Sequence, residues 1–437
     1  MVAIRTRPSR FVLAGAAAAL LACASSTAMA GAFGLREQST TGQGMSFAGM
    51  AAGGGDSISG MFWNPAVVNQ VATFQSEQHV TGVFPSSKID VSDATKRNIG
   101  AATFGTGATG DSGDIGQGAL LAAGYNAYRI SDKVAVGLTV TAPFGLVTDP
   151  HGAWGGQVLA RSSKVMSVNV SPTLGVAVTD WLSIAGGVQI QYFDIRLRRA
   201  TGVFPTSPSA TLTGDDVGFG FTAGFTVTPA EGTSVGVGFR SAIKHKLEGK
   251  LKTPLGDSKI DADVTLPETV SVGVRQAITP ELTILGGVEW TNWSRLSTIN
   301  VKARNGGATL TSLPFEYEDG WFFSAGAEYA FSPEFTGRAG VGYELSPITD
   351  KNRDVRLPDD DRWWLSAGGT YNYSDRLSFD IGYSYVFVPG RSKIDVDLPA
   401  PLPFDFEATS KSNVHIVSAS VRYKFGGEPA PVLVTKY

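Results

Sequence analysis

Between Phe379 and Phe387 every second residue is large and apolar: Phe379, Ile381, Tyr383, Tyr385 and Phe387 alternate with Asp380, Gly382, Ser384 and Val386. A two-residue period puts these two sets on opposite faces of a β-strand. The same dyad recurs at Leu282, Ile284, Val288 and Trp290, and at Trp321, Phe323, Ala325, Ala327, Tyr329 and Phe331. A soluble sandwich would also alternate, but its second face would be polar and solvated. Here that face is mostly Gly, Ser and Thr with single charges. Past Leu21 no run of roughly 18 apolar residues occurs, so no spanning helix competes with a strand reading.

Connections sharpen the choice. Tight turns at Arg129 to Lys133, Thr179-Asp180, Pro229 to Gly232, Thr279-Pro280-Glu281, Ser332-Pro333-Glu334 and Ser374-Asp375-Arg376 alternate with long connections. The long ones run from Pro85 to Gln117, Gly145 to Arg161, Gly202 to Gly214, Gly249 to Asp263, Lys302 to Pro314, Pro347 to Asp360 and Pro389 to Ser410. Short turns on one side and long loops on the other mark an outer-membrane barrel, and the count between them is about fourteen strands, an even number. Closure leaves no strand edge unpaired in lipid. The fold expected is all-β: a 14-stranded antiparallel transmembrane β-barrel over 73–425, followed by a C-terminal tail, 426–437.

Arg5, Arg7 and Arg10, the apolar run Phe11 to Leu21 and the small-x-small Ala28-Met29-Ala30 form a secretory signal peptide over 1–30, with cleavage expected after Ala30. Leu20-Leu21-Ala22-Cys23 suggests a lipoprotein box as an alternative, which Leu21 suits poorly. Cys23 is the single cysteine, so the mature chain has no thiol or disulfide chemistry. Loss of three Arg and no acid leaves 33 Lys+Arg against 39 Asp+Glu, a formal charge of −6. No basic patch dominates, so nucleic acid is not a partner.

Residues 31–72 are rich in Gly, Ser and Ala and end in Trp63-Asn64-Pro65-Ala66. Phe33, Leu35, Phe47, Ile58, Met61, Phe62 and Trp63 give this stretch more apolar surface than a solvated linker carries. Its glycines at 42, 44, 49, 53, 54, 55 and 60 permit tight turns and close backbone approach. The segment is expected to plug the barrel. Pro65 fixes its own backbone and biases Asn64 toward an extended shape, leaving the Asn64 amide free to bond the wall.

Several motifs resemble one family, the FadL-type outer-membrane long-chain fatty acid transporters. Gly34-Leu35-Arg36-Glu37-Gln38-Ser39, Gly42-Gln43-Gly44 and Phe62-Trp63-Asn64-Pro65-Ala66 resemble the family's N-terminal hatch. Trp290-Thr291-Asn292-Trp293-Ser294 is similar to a mid-barrel signature, as is Leu345-Ser346-Pro347 continuing through Asn352-Arg353 to Pro358-Asp359-Asp360-Asp361-Arg362-Trp363-Trp364. The ordered set covers about Gly31 to Phe425.

The resemblance implies a plugged barrel that imports hydrophobic molecules passively: capture at an extracellular groove, transfer to an interior pocket, and departure through a lateral opening. Its implied partners are long-chain fatty acids or, in some branches, aromatic hydrocarbons, with outer-membrane lipid, lipopolysaccharide and the barrel-assembly machinery around a monomer. Asn64, Pro65 and Ala66 are expected to gate. Trp154 and Phe204, in two long loops, are expected on the capture groove, with outer-girdle aromatics as the alternative. Arg196, Arg198 and Arg199 are candidates to meet a carboxylate; the alternative is a solvated or lipopolysaccharide-facing charge. A second basic residue is not matched, because Phe315 to Gly320 carries Glu316, Glu318 and Asp319. That departure keeps a neutral hydrocarbon open.

Neither an enzyme nor a cofactor is expected. His79, His151, His245 and His415 are the four histidines, none in a nucleophile motif such as Gly-x-Ser-x-Gly, which argues against an outer-membrane lipase. His415 falls on the face expected to meet lipid. No His/Asp/Glu set has metal-ligand spacing. A general diffusion porin is the remaining alternative, separated by whether the lumen is plugged.

Overall fold

The computed structural model describes residues 31–53, 55–398 and 404–425. Residues 1–30, read above as a signal peptide containing Cys23, and the expected tail 426–437 lie outside the described residues. Twenty strand segments join into one sheet that closes as an antiparallel barrel of 14 staves. The seam is made by β1 (Phe74–Val91), which pairs with β2 (Ala119–Arg129) on one side and with the last strand, β20 (Asp405–Phe425), on the other.

Between them β3 (Val134–Thr141) and β4 (Gly145–Thr148) share a stave, followed by β5 (Ser162–Ala177), β6 (Leu182–Ala200) and β7 (Ser209–Ala230). The next staves are built from β8 (Thr233–Arg240) with β9 (Ile243–Thr253), β10 (Gly256–Leu266) with β11 (Thr269–Ala277), β12 (Leu282–Thr291) with β13 (Thr298–Ala303), and β14 (Thr309–Pro314) with β15 (Gly320–Ala330). The remaining ones are β16 (Phe335–Leu345), β17 (Arg362–Asn372) and β18 (Leu377–Phe387) with β19 (Ser392–Asp397).

Two of the expected long loops are hairpins instead. Gly249 to Asp263 continues β9 into β10 around a tight turn, and Lys302 to Pro314 holds the β13–β14 pair. Their polar alternation reads as loop in sequence, but it is the pattern of a strand that has left the membrane and is wet on its outer face. A helix, α2 (Asp93–Ala102), caps the opening between β1 and β2, its first turn bonded to the Ser92 hydroxyl.

Side-chain direction follows the sequence period. Phe379, Ile381 and Tyr383 point outward and are exposed, as are Phe323, Ile284 and Val417, whereas Asp380 and Ser384 face inward and are buried. Such an apolar band on a closed barrel is covered by lipid. His415 is also outward, its Nδ1 2.9 Å from the Tyr383 hydroxyl.

Residues 31–72 fill the lumen. A one-turn helix, α1 (Thr40–Gln43), and three 3₁₀ turns compact them, and nearly all are buried. The last turn, Pro65–Gln70, is capped by Asn64, whose Oδ1 accepts from the Ala66 amide at 3.0 Å. The Asn64 amide donates to Ala51 O (2.7 Å) inside the hatch and to Phe225 O (2.8 Å) on the wall strand β7, the wall bond expected of it. On β1, Glu77 accepts from the Ile58 amide and the Ser57 hydroxyl, both at 2.8 Å.

The close fit depends on glycine in the wall as well as in the hatch. A Cβ on Gly236 would lie 1.9 Å from Ala51 O, and one on Gly238 1.9 Å from Trp63 O. Hatch main chain therefore rests directly on wall main chain.

Candidate functional site

On the loop side of the hatch lies a cavity of about 70 Å³, bounded by Leu35, Phe62 and Trp63 below, Phe144 and Trp293 at the sides, and Arg240. Trp293 sits where the strand breaks between β12 and β13, and its ring meets Phe33 edge-on at 4.9 Å. Arg240 ends β8 on the inward face, in line with Gly236 and Gly238. It is 9% exposed, donates to Phe62 O (3.3 Å) and to Gln189 Oε1, and lies 4.6 Å from the Phe62 ring centroid.

The other buried arginines, Arg353, Arg362 and Arg422, each have a carboxylate partner; among the described residues Arg240 has none. A desolvated guanidinium whose hydrogen-bond partners are all neutral is a ready receptor for an anion. The volume is well short of the ~300–1,000 Å³ that small-molecule sites occupy. Hatch side chains must therefore shift to admit a ligand.

Arg36, which also lines the cavity, has its charge consumed. It pairs with Glu289 at 2.8 Å and Glu344 at 2.9 Å and stacks 3.9 Å over the Phe322 ring. Glu344 also accepts from Arg362 Nε and Trp364 Nε1.

The cavity reaches the wall at Pro143 and Phe144, where the barrel is interrupted. Pairing of β2 with β3 stops at Gly124 and Val140, and β4 resumes pairing only with β5, from Gly145. In the gap the hatch takes the place of β2. Leu35 N donates to Pro143 O (2.8 Å), Gly145 N to Phe33 O (2.9 Å), and the Gln38 side chain bonds both the carbonyl and the amide of Ala142. An isolated bridge between Gly116 and Thr148 bounds the gap on the loop side. Pro143 has no amide to offer a neighbouring strand, so the interruption is written locally in Ala142-Pro143-Phe144.

Glu37 stands within this sealing segment, buried, with neither carboxylate oxygen hydrogen-bonded. Burial, against the pull of Arg36, pushes its carboxyl up to about 7. A carboxyl so raised keeps its proton while buried and would release it on exposure. The stabilisation expected from it is full below about pH 4.5 and falls as pH rises to about 7, by up to about 3 kcal/mol. Hydrogen-exchange protection factors at Leu35 and Gln38, measured across that range, should decline with pH in the native chain and stay flat in Glu37→Gln. Parallel profiles in the two proteins would refute the assignment.

Beneath the hatch is a second space of about 860 Å³, lined by Arg275, Glu328, Arg338 and Arg422 among other polar groups. It opens toward the short turns at Pro280-Glu281 and Asn372.

Residues 21–425 match the family described as outer membrane protein transport protein (OMPP1/FadL/TodX). The chain belongs to this family. Members of the OMPP1/FadL/TodX family are outer-membrane transporters of hydrophobic molecules, not enzymes. Among relatives, outer membrane protein P1 of Haemophilus influenzae is 25% identical over 402 residues, covering 82% of this chain and 86% of that protein. The long-chain fatty acid transport protein of Salmonella typhi is 22% identical over 407 residues, covering 85% and 91%. A Pseudomonas aeruginosa FadL homologue superposes with TM-score 0.81 at 24% identity, covering 90% of this chain and 100% of that one. The Pseudomonas putida toluene transporter TodX does so at 0.64 and 14%, covering 89% and 98%. At such identities the superpositions speak to the fold alone.

Within this FadL/TodX-type barrel the sequence-derived candidates separate. Asn64, Pro65 and Ala66 lie together at the wall contact described above. Trp154 is fully buried rather than displayed: its ring meets Phe406 edge-on at 6.0 Å and its Nε1 donates to Ala160 O at 3.0 Å, in a loop core with Ile89 and Val355. Phe204 is 46% exposed on the neighbouring loop.

Arg196 and Arg198 point outward from β6, in register with Lys164 and Ser162 of β5, and Arg199 is exposed at the rim. None of the three borders the cavity. Sequence reading missed Arg240, although the period of β8 carried the signal: a lone cation on the face occupied by Gly236 and Gly238.

Proposed function

We propose that this transporter carries long-chain fatty acids, passively, from the extracellular loops into the cavity above the hatch and out through the β2–β3 gap. The observation that carries the substrate is Arg240, a buried cation that forms no ion pair among the described residues, beside the apolar Phe62, Trp63 and Leu35. That combination suits a carboxylate on an acyl chain, and a neutral aromatic hydrocarbon would leave the guanidinium uncompensated.

A lateral route is favoured over an axial one by what lies below. Moving an acyl chain into the charged vestibule would forfeit about 0.8 kcal/mol per methylene, whereas the gap at Ala142 to Phe144 leads from beside Leu35, Phe62 and Phe144 toward lipid. The hatch closing the lumen opposes a porin reading.

Organic extraction of the purified protein, with mass spectrometry of what co-purified, tests the substrate. Long-chain fatty acids are the expected ligands. Recovery of neutral aromatics, with no carboxylic acid, would sink the proposal.

A further inference from the structure

We propose that signal removal creates a working group of this site: the α-ammonium of Gly31, freed by cleavage after Ala30, pairs with Glu344 and locks the hatch segment that seals the wall gap. The inference rests on that cleavage position and draws its consequence from the lateral-route reading.

Three observations lead to it. Gly31 is buried at the cavity, and its nitrogen lies 2.9 Å from Glu344 Oε1 while the next amide, Ala32 N, lies 3.0 Å from Asp359 Oδ2. A Cβ on Gly31 would stand 2.6 Å from the same Glu344 oxygen, so glycine is what lets the nitrogen come so near.

The amine enters a cluster of buried charges. Arg36 and Arg362 face Glu289, Glu344 and Asp359, all at most lightly exposed, with Glu344 shared between the two cations and Arg240 acting on Glu289 across the cavity. A carboxylate buried this deeply is favoured by each cation brought against it. A free ammonium at Gly31 would bring a third cation within reach of Glu344. An uncleaved chain would supply only a neutral amide there.

From Gly31 the sealing residues follow within a few positions, Phe33 and Leu35 to the gap and Arg36 to the same Glu344. The amine is therefore a positioning group for the latch. It also borders the cavity, where an incoming carboxylate can compete with Glu344 for it.

The test uses the full mature chain in detergent and no substrate, so its failure is separable from failure of the transport reading. N-terminal sequencing first identifies residue one. The α-amine is then labelled with acetic anhydride near pH 7.5, folded and in guanidinium. Folded protein should label at least about tenfold more slowly, with an apparent amine pKa above the ordinary ~7.7–8.0. Glu344→Gln, and separately two alanines inserted between Ala30 and Gly31, should each restore fast labelling and speed hydrogen exchange at Leu35. A folded wild-type amine that labels at the unfolded rate overturns the proposal, and so does a mature chain that begins at any residue other than Gly31. The wild-type measurement decides even where a variant does not fold.

Discussion

Arg240→Met binds a long-chain fatty acid roughly 10–100-fold more weakly than the native protein and binds the corresponding methyl ester equally well. The magnitude comes from one hydrogen-bonded charge in a desolvated site, about 1.5–3 kcal/mol, at 1.4 kcal/mol per tenfold. Methionine keeps comparable bulk against Phe62, and Arg240 forms no ion pair among the described residues whose loss would strand a carboxylate. Removal of a buried cation offsets the loss of its bonds to Phe62 O and Gln189 Oε1, so stability should change little. Calorimetric titration of both ligands into both proteins checks this. Equal losses for acid and ester would assign Arg240 to packing rather than to carboxylate recognition.

The second large effect is expected at the hatch seat. Gly238→Val places a side chain where Trp63 O and Asn64 Cα stand, 1.9 and 2.7 Å from its Cβ. The wall cannot yield, because Gly238 is paired on both sides, with Gly224 and with Ser271, so the hatch must leave its seat. Asn64→Ala reaches the same end from the other partner. It strands Ala51 O, Phe225 O and the Ala66 amide, at about 1–3 kcal/mol for each group left unsatisfied.

Three such losses, at least about 3 kcal/mol together, correspond to at least roughly a hundredfold drop in hatch hydrogen-exchange protection. Planar-bilayer conductance should rise from near zero to resolved open events in either variant. Native conductance with native hatch protection in folded Asn64→Ala would remove these contacts from any gating role.

Much of this architecture is legible in the chain because a barrel wall has a two-residue period and lipid selects its outer set. Phe379 to Phe387 could be assigned to faces one by one, and the hatch could be recognised by apolar residues set among glycines. What escaped depends on three dimensions. Trp154 and Phe204 look equivalent in sequence, yet loops long enough to fold on themselves need a core, and Trp154 became its centre. Arg196, Arg198 and Arg199 drew notice as a cluster, while the residue with the unanswered charge, Arg240, stood alone. The wall glycines at 236 and 238 seemed part of a small inward face; their reason is the hatch backbone lying against them.

The two ends of the hatch are held differently. Its C-terminal end runs into β1 within a few residues, where Arg129 Nε donates to Val71 O and the Thr73 hydroxyl donates to Phe425 O, both at 2.7 Å. Its N-terminal end meets the wall through the bonds at the gap, the charges around Glu344, the Phe33–Trp293 ring contact and the Tyr125 hydroxyl, which donates to Gln38 O at 2.8 Å. Under the proposed lateral route, admission would peel back that end while the tethered body stays in place. The proposed passage for hydrophobic molecules would then open at the wall without unplugging the lumen to ions.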